Sequence, residues 1–214
     1  NGVQLQGFGF LSQHGVPLTL YFLTDPRAKK LESITMLILD DSDGEDASGW
    51  VQVLGGAMPS LDFSATPKLA RWRADLALGR ALAVLVPRGV AGFELGGMFS
   101  PIPEKERTHV RRRFALLGQT LDGMRVWDAR RGARVAMTLA GENQVPIRLA
   151  GRGRAASLAL LAGIFEPEVT AVELEAPPLS FDELPTFLNI NQVLELPQAI
   201  ALMAPRQVLS RNFA

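Results

Sequence analysis

Residues 145–162 have the layout that presents a nucleophile at the top of a sheet. Val145-Pro146-Ile147-Arg148-Leu149-Ala150 reads as a short buried strand, Gly151-Arg152-Gly153-Arg154-Ala155-Ala156 as a small-residue turn, and Ser157-Leu158-Ala159-Leu160-Leu161-Ala162 as an apolar helical run. A serine at the apex of such a turn, in the pattern Gly-x-Ser-x-Gly or Ala, attacks acyl carbonyls. Gly151 and Ala155 are the small flanking residues, required because strand and helix backbones pass too closely there for a larger side chain. The apex is Gly153, which carries no side chain. The frame of an acyl-transfer site is present and its reagent is missing.

A serine nucleophile also needs a base within hydrogen-bond reach and a third group to orient that base. The only histidines are His14, in the turn of an edge hairpin, and His109, on the outer part of a helix before the Gly153 turn. Ser157 lies one helical turn past the apex and should face along the helix. No catalytic residue is therefore assigned, and Gly151, Gly153 and Ala155 are read as a degenerate elbow. Arg152 and Arg154 flank the apex at a helix N-terminus, where free backbone N–H groups favour anions. They could bind a phosphate or carboxylate there, or they point to solvent or pair with carboxylates such as Glu173 or Asp128.

The run Asp40-Asp41-Ser42-Asp43-Gly44-Glu45-Asp46 follows a central strand. Asp41, Asp43 and Asp46 could hold a hard cation such as calcium through carboxylate oxygens. The pattern lacks the glutamate that completes an EF-hand loop. The alternative, which we favour, is a solvated turn, since Asp, Ser and Gly all suit turns. No metal and no cofactor is assigned.

Composition narrows the classes. In 214 residues, 22 Lys+Arg balance 22 Asp+Glu, and 47% are hydrophobic. That balance argues against an electrostatic grip on nucleic acid. The arginines 107, 111–113, 130, 131 and 134 spread around a helix and have no interleaved aromatics. No cysteine is present, which excludes disulfides, thiolate metal sites and a cysteine nucleophile. No apolar stretch is long enough to span a bilayer. Asn1-Gly2-Val3-Gln4 is neither an initiator methionine nor a signal peptide, so the expectation is a piece of a longer protein.

The elements that position these residues alternate. Residues 3–10 and 18–23 flank a turn at His14-Gly15 and predict an antiparallel hairpin. Residues 34–39, 81–86, 145–150 and 169–175 read as buried strands, and 207–211 as a last one. Helices are expected from Thr66-Pro67 to Leu78, over the long stretch after Pro103, after the elbow, and at 196–203. In the stretch after Pro103, Val110, Phe114, Leu117, Leu121, Met124 and Val135 would face the core, with breaks at Gly118 and Gly123. Residues 89–103 read as a long loop above the carboxyl ends of the strands. The sum is one α/β domain over 1–214: a three-layer, doubly wound, mostly parallel sheet with an antiparallel N-terminal hairpin.

The order of strands, together with Arg112-Arg113-Phe114-Ala115-Leu116-Leu117-Gly118-Gln119-Thr120-Leu121-Asp122-Gly123-Met124-Arg125-Val126-Trp127-Asp128 and Ala204-Pro205-Arg206-Gln207-Val208-Leu209, resembles the acetyl xylan esterase and cephalosporin-C deacetylase branch of the α/β-hydrolases. The resemblance runs over nearly the whole chain. It implies an α/β-hydrolase fold and ancestry among carbohydrate or small-ester deacetylases. It also implies a serine at the position of Gly153, an acid after the next-to-last strand and a histidine after the last. Ala214 falls just past the strand that should precede the acid, so the resemblance implies that the final strand and histidine segment are absent. Internal salt bridges of the arginine-rich segment, such as Arg125 with Asp128, are implied too. The expected function is a non-catalytic, pseudo-esterase domain with a structural or interaction role. Its partners would be other domains of the same longer protein or separate proteins. The alternative is part of a carbohydrate esterase whose catalytic serine lies in another domain.

Overall fold

In the computed structural model the described residues are 3–40, 67–90, 104–141, 145–181 and 186–211. Their elements in chain order are β1 (Gln4–Gln13), β2 (Val16–Thr24), β3 (Ser33–Ile38), α1 (Pro67–Ala77), β4 (Arg80–Leu85), α2 (Glu104–Leu116), α3 (Leu121–Ala140), β5 (Ile147–Arg152), α4 (Arg154–Phe165), β6 (Val169–Glu175), α5 (Leu196–Ala201) and β7 (Gln207–Arg211). The seven strands form one sheet in the order β1-β2-β4-β3-β5-β6-β7. The β1–β2 hairpin is antiparallel and joins β4 antiparallel, while β4, β3, β5, β6 and β7 run parallel.

The central strands are apolar on both sides because both sides are covered. Ile34, Met36 and Ile38 of β3 and Ala81, Ala83 and Leu85 of β4 belong to one core, with residues of α3, α4 and α5. Leu37, Leu82 and Val84, the alternate positions, belong to a second core with Leu76 of α1. The first core is alanine-rich on its helical side, with Ala129, Ala133 and Ala136 of α3 fully buried. Small side chains let α3 lie close against the sheet; a Cβ on Gly132 would already come within 3.0 Å of Leu85. The expected three-layer, doubly wound α/β sheet with its antiparallel hairpin is observed.

Several boundaries move, each for a local reason. The stretch after Pro103 is two helices, broken at Gly118, whose φ of 68° ends α2. Gly123 is no break: it lies in the first turn of α3 and donates its N–H to the N-cap Thr120 Oγ1 at 2.9 Å. Leu117, expected in the core, is 74% exposed in the connection between the two helices. Strand β5 runs two residues further than the apolar pattern suggested, so Gly151 and Arg152 are strand and the turn contracts to Gly153. Of the long loop expected at 89–103, residues 91–103 lie outside the described residues.

Candidate functional site

The connection β3–α1–β4 runs toward one edge of the sheet and β5–α4–β6 toward the other. The chain thus reverses direction between the neighbouring carboxyl ends of β3 and β5. A crevice at that switch point is where ligands bind in open α/β sheets. Ile38 pairs with Gly151, so Leu39-Asp40 runs out beside Arg152-Gly153.

Gly153 forms the turn from β5 into α4 with φ 55° and ψ −122°. This is a left-handed conformation that strains any residue with a Cβ and that glycine adopts freely. The Gly153 N–H donates to the Glu175 carbonyl at 2.8 Å, and the Gly153 carbonyl accepts from Ala156 N–H at 3.1 Å. The turn is thereby tied to β6 on one side and begins α4 on the other. Gly151 is required by contact: a Cβ there would overlap the Ala155 carbonyl. Ala155 itself is fully buried. Ser157 is 1% exposed within the core, and its hydroxyl has no hydrogen-bond partner among the described residues.

Arg152 and Arg154 occupy different settings. Arg152 ends β5, with Nε 3.7 Å from Glu175 Oε1. Arg154 is half-buried in the first turn of α4 and forms no hydrogen bond or ion pair among the described residues. Asp128, one suggested partner, is taken by Arg88. Glu173, the other, is held by Arg148 at 3.4 Å and Arg211 at 3.2 Å.

Arg125 ties together the segments at the carboxyl ends of β3 and β4. It is 4% exposed and lies 3.3 Å from Asp40 Oδ1, itself 1% exposed. Its Nε donates to the Arg88 carbonyl at 3.0 Å and its NH2 to the Gly89 carbonyl at 2.9 Å. It also meets Asp122 at 3.3 Å, and Asp122 accepts from Thr186 N–H at 2.8 Å. One guanidinium therefore joins the segments after β3 and β4, and through Asp122 the segment after β6. Arg125 does not take Asp128 as expected; three residues further along α3, Asp128 faces the hairpin instead. There its carboxylate accepts a fork from Arg88, at 2.9 and 2.6 Å, and a bond from Ser12 Oγ at 2.5 Å. Ser12 and Arg88 were not found from sequence. The available signal was Asp128 itself, a charge set among Val126, Ala129, Gly132 and Ala133 on the buried side of α3. Internal ion pairs of the arginine-rich segment are present: Arg130 and Arg134 both bind Glu166, at 2.7 and 2.8 Å. That carboxylate raises the Arg134 guanidinium above its ordinary range.

The histidines lie away from the turn. His14 is exposed at the hairpin tip, and β4 and β3 stand between β2 and β5. Three strand spacings make about 14 Å, far beyond hydrogen-bond reach. His109 is exposed on α2. Asp41, Asp43 and Asp46 lie outside the described residues. Among the described residues no cluster of three or more His, Asp or Glu is placed to hold a metal ion, and no helix is long and apolar enough to cross a membrane.

No protein-family model and no curated protein matches the chain. Solved structures do. A Bacteroides fragilis protein assigned as an acetyl xylan esterase superposes with a TM-score of 0.72 at 14% identity, over 99% of this chain and 59% of the other. A CE15 glucuronoyl esterase from Teredinibacter turnerae superposes with a TM-score of 0.54 at 15% identity, over 97% of this chain and 56% of the other. The chain has the α/β-hydrolase fold. It spans somewhat more than half the length of the esterases it superposes on.

Proposed function

We propose that this chain is a non-catalytic α/β-hydrolase-like domain, a pseudo-esterase that serves as a structural or interaction module of a longer protein. The observation that carries the reading is Gly153, at the strand-to-helix turn of the switch point with φ 55°. A serine nucleophile would occupy that apex, and glycine offers neither an attacking oxygen nor a proton for a base to take. Gly151 and Ala155 keep the close backbone approach that such a turn requires. The likeness to esterases and the position of the Gly153 turn at the carboxyl edge of the sheet agree with descent from an ester hydrolase.

The second reading, part of a carbohydrate esterase with its serine in another domain, is favoured by the share of the esterase structures that this chain spans. The test of the first reading is hydrolysis of p-nitrophenyl acetate by the isolated chain, with a denatured control, and labelling by a fluorophosphonate serine probe. No turnover above the control and no stoichiometric label are expected; either signal would overturn the non-catalytic reading. Reading the natural open reading frame for an intact Gly-x-Ser-x-Gly outside residues 1–214 separates the second reading from the first.

A further inference from the structure

The two edges of the sheet are built differently. β7, at one edge, has five residues, ends in Arg211 and directly follows Arg206. A short, charged strand keeps an edge from pairing with another chain. β1, at the other edge, has ten residues, Gln-Leu-Gln-Gly-Phe-Gly-Phe-Leu-Ser-Gln, with no charge and no proline. Its far end is closed. The ladder with β2 shifts between Leu11 and Gln13, the Ser12 carbonyl accepts the Trp127 indole N–H at 3.0 Å, and Gln13 Oε1 accepts from Arg88 at 2.7 Å. Residues 4–11 pair with β2 on one side and, among the described residues, with nothing on the other. Every second residue there turns its N–H and C=O outward. Gly7 and Gly9 are exposed and put no side chain over the middle of that row. A Cβ on Gly9 would meet nothing within 4 Å among the described residues, so packing there does not call for glycine. Glycine inside a strand often marks the close approach of another backbone.

A second copy of the same strand matches that edge. Antiparallel pairing about a two-fold axis normal to the sheet sets even-numbered residues beside even and odd beside odd, because each face continues across the junction. Phe8 and Phe10 pack against the first core, so on that face these rings would adjoin the same rings of the second copy. Leu5 packs against the second core, and by alternation Leu11, 61% exposed, shares its face. Neither row holds a charge, so self-pairing meets no like-charge repulsion. The outward backbone groups of both copies are satisfied at once. We propose that residues 4–11 of β1 are the interface of a two-fold dimer, in which two seven-stranded sheets join edge to edge. An isologous contact of this kind closes at two copies. The inference rests on the β1 edge alone and holds whether or not the Gly153 turn is catalytic.

The test is sedimentation equilibrium of the chain from low to high micromolar concentration. The mass should rise toward twice the 23.2 kDa of one chain and no further. The double variant Gln4→Lys/Gln6→Lys places charges at two exposed positions of the pairing row. It should keep the parent's far-UV spectrum and raise the dissociation constant at least tenfold. Gln207→Lys, on the β7 edge, should leave that constant within about twofold of the parent. Amide hydrogen exchange supplies a second readout on the parent chain. The outward amides between residues 4 and 11 should be protected where the dimer is populated and lose protection on dilution. If the lysine variant fails to fold, this exchange comparison decides alone. A monomer throughout, growth beyond a dimer, a dimer unmoved in the folded lysine variant, equal weakening by Gln207→Lys, or outward amides that exchange freely within the dimer would each overturn the proposal.

Discussion

The Arg88–Asp128 and Arg27–Asp25 pairs share one geometry. In both, Nε donates to one carboxylate oxygen at 2.9 Å and NH2 to the other at 2.6 Å, while the arginine's own backbone N–H donates at 3.0 or 2.9 Å. Their surroundings differ. Arg27 sits two residues from Asp25 with its side chain 68% exposed, whereas Arg88 reaches 40 residues to an Asp128 with no exposure. The local fork forms as soon as β2 ends and organises only its own turn. The distant fork fastens α3 to the segment after β4 and, through Ser12, to the hairpin. A hydrogen-bond pattern therefore does not measure its own worth; burial and the length of chain it closes decide that.

The comparison can be broken first at its buried member. Asp128→Ala leaves the Arg88 guanidinium, 13% exposed, with only Gln13 and Ser12 as side-chain partners among the described residues, and urea unfolding should show a loss of about 3 kcal/mol. A loss below 1 kcal/mol would place the pair with ordinary surface bridges. Arg27→Gln is the matching change at the exposed fork. Any loss there should be a small fraction of that at Asp128.

A second large effect tests the close approach beside the elbow. Gly151→Ala pushes a Cβ into the Ala155 carbonyl, an overlap with backbone that no side-chain rotation relieves. A destabilisation of about 3 kcal/mol is expected, read from the same unfolding curves. Gly153→Ser should cost less, roughly 1 kcal/mol, since it adds strain at φ 55° rather than overlap. That variant should also gain no p-nitrophenyl acetate turnover, because His14 lies about three strand spacings or more away. Turnover by Gly153→Ser would show that a base is in reach after all.

The smallest expected effect is the dependence of the exposed fork on pH. The hydrogen bonds from Arg27 pull the Asp25 carboxyl from an ordinary 3.8 down to about 2. A depressed carboxyl stabilises the fold above its unfolded value and loses that contribution as pH falls toward the folded one. The stability difference between the parent chain and Arg27→Gln should thus be constant at neutral pH and shrink between pH 4 and 2. A difference that grows toward acid would reverse the assignment.

Much of the architecture was legible because its signals are local. The apolar runs at 34–39, 81–86 and 169–175 fall within a residue of β3, β4 and β6, and 207–211 coincides with β7. Strand–turn–helix around Gly153 was legible for the same reason, since small residues at 151, 153 and 155 are a statement about backbone proximity. The end of β5 was not. Gly151 and Arg152 are a turn-forming and a charged residue, and pairing with Ile38, Leu174 and Glu175 keeps them extended.

Residue types and their spacing set the layered α/β fold, the absence of thiol chemistry and a glycine, which carries no side chain, at position 153. Tertiary structure alone decided which charges meet. The resemblance implied Asp128 as a partner for Arg125; the fold gave Arg125 to Asp40 and Asp128 to Arg88. Periodicity encodes which face of a helix is buried, but the partner of a buried charge is set by whichever distant segment is packed against that face. That information lies in sheet order and register, which the separate segments do not carry.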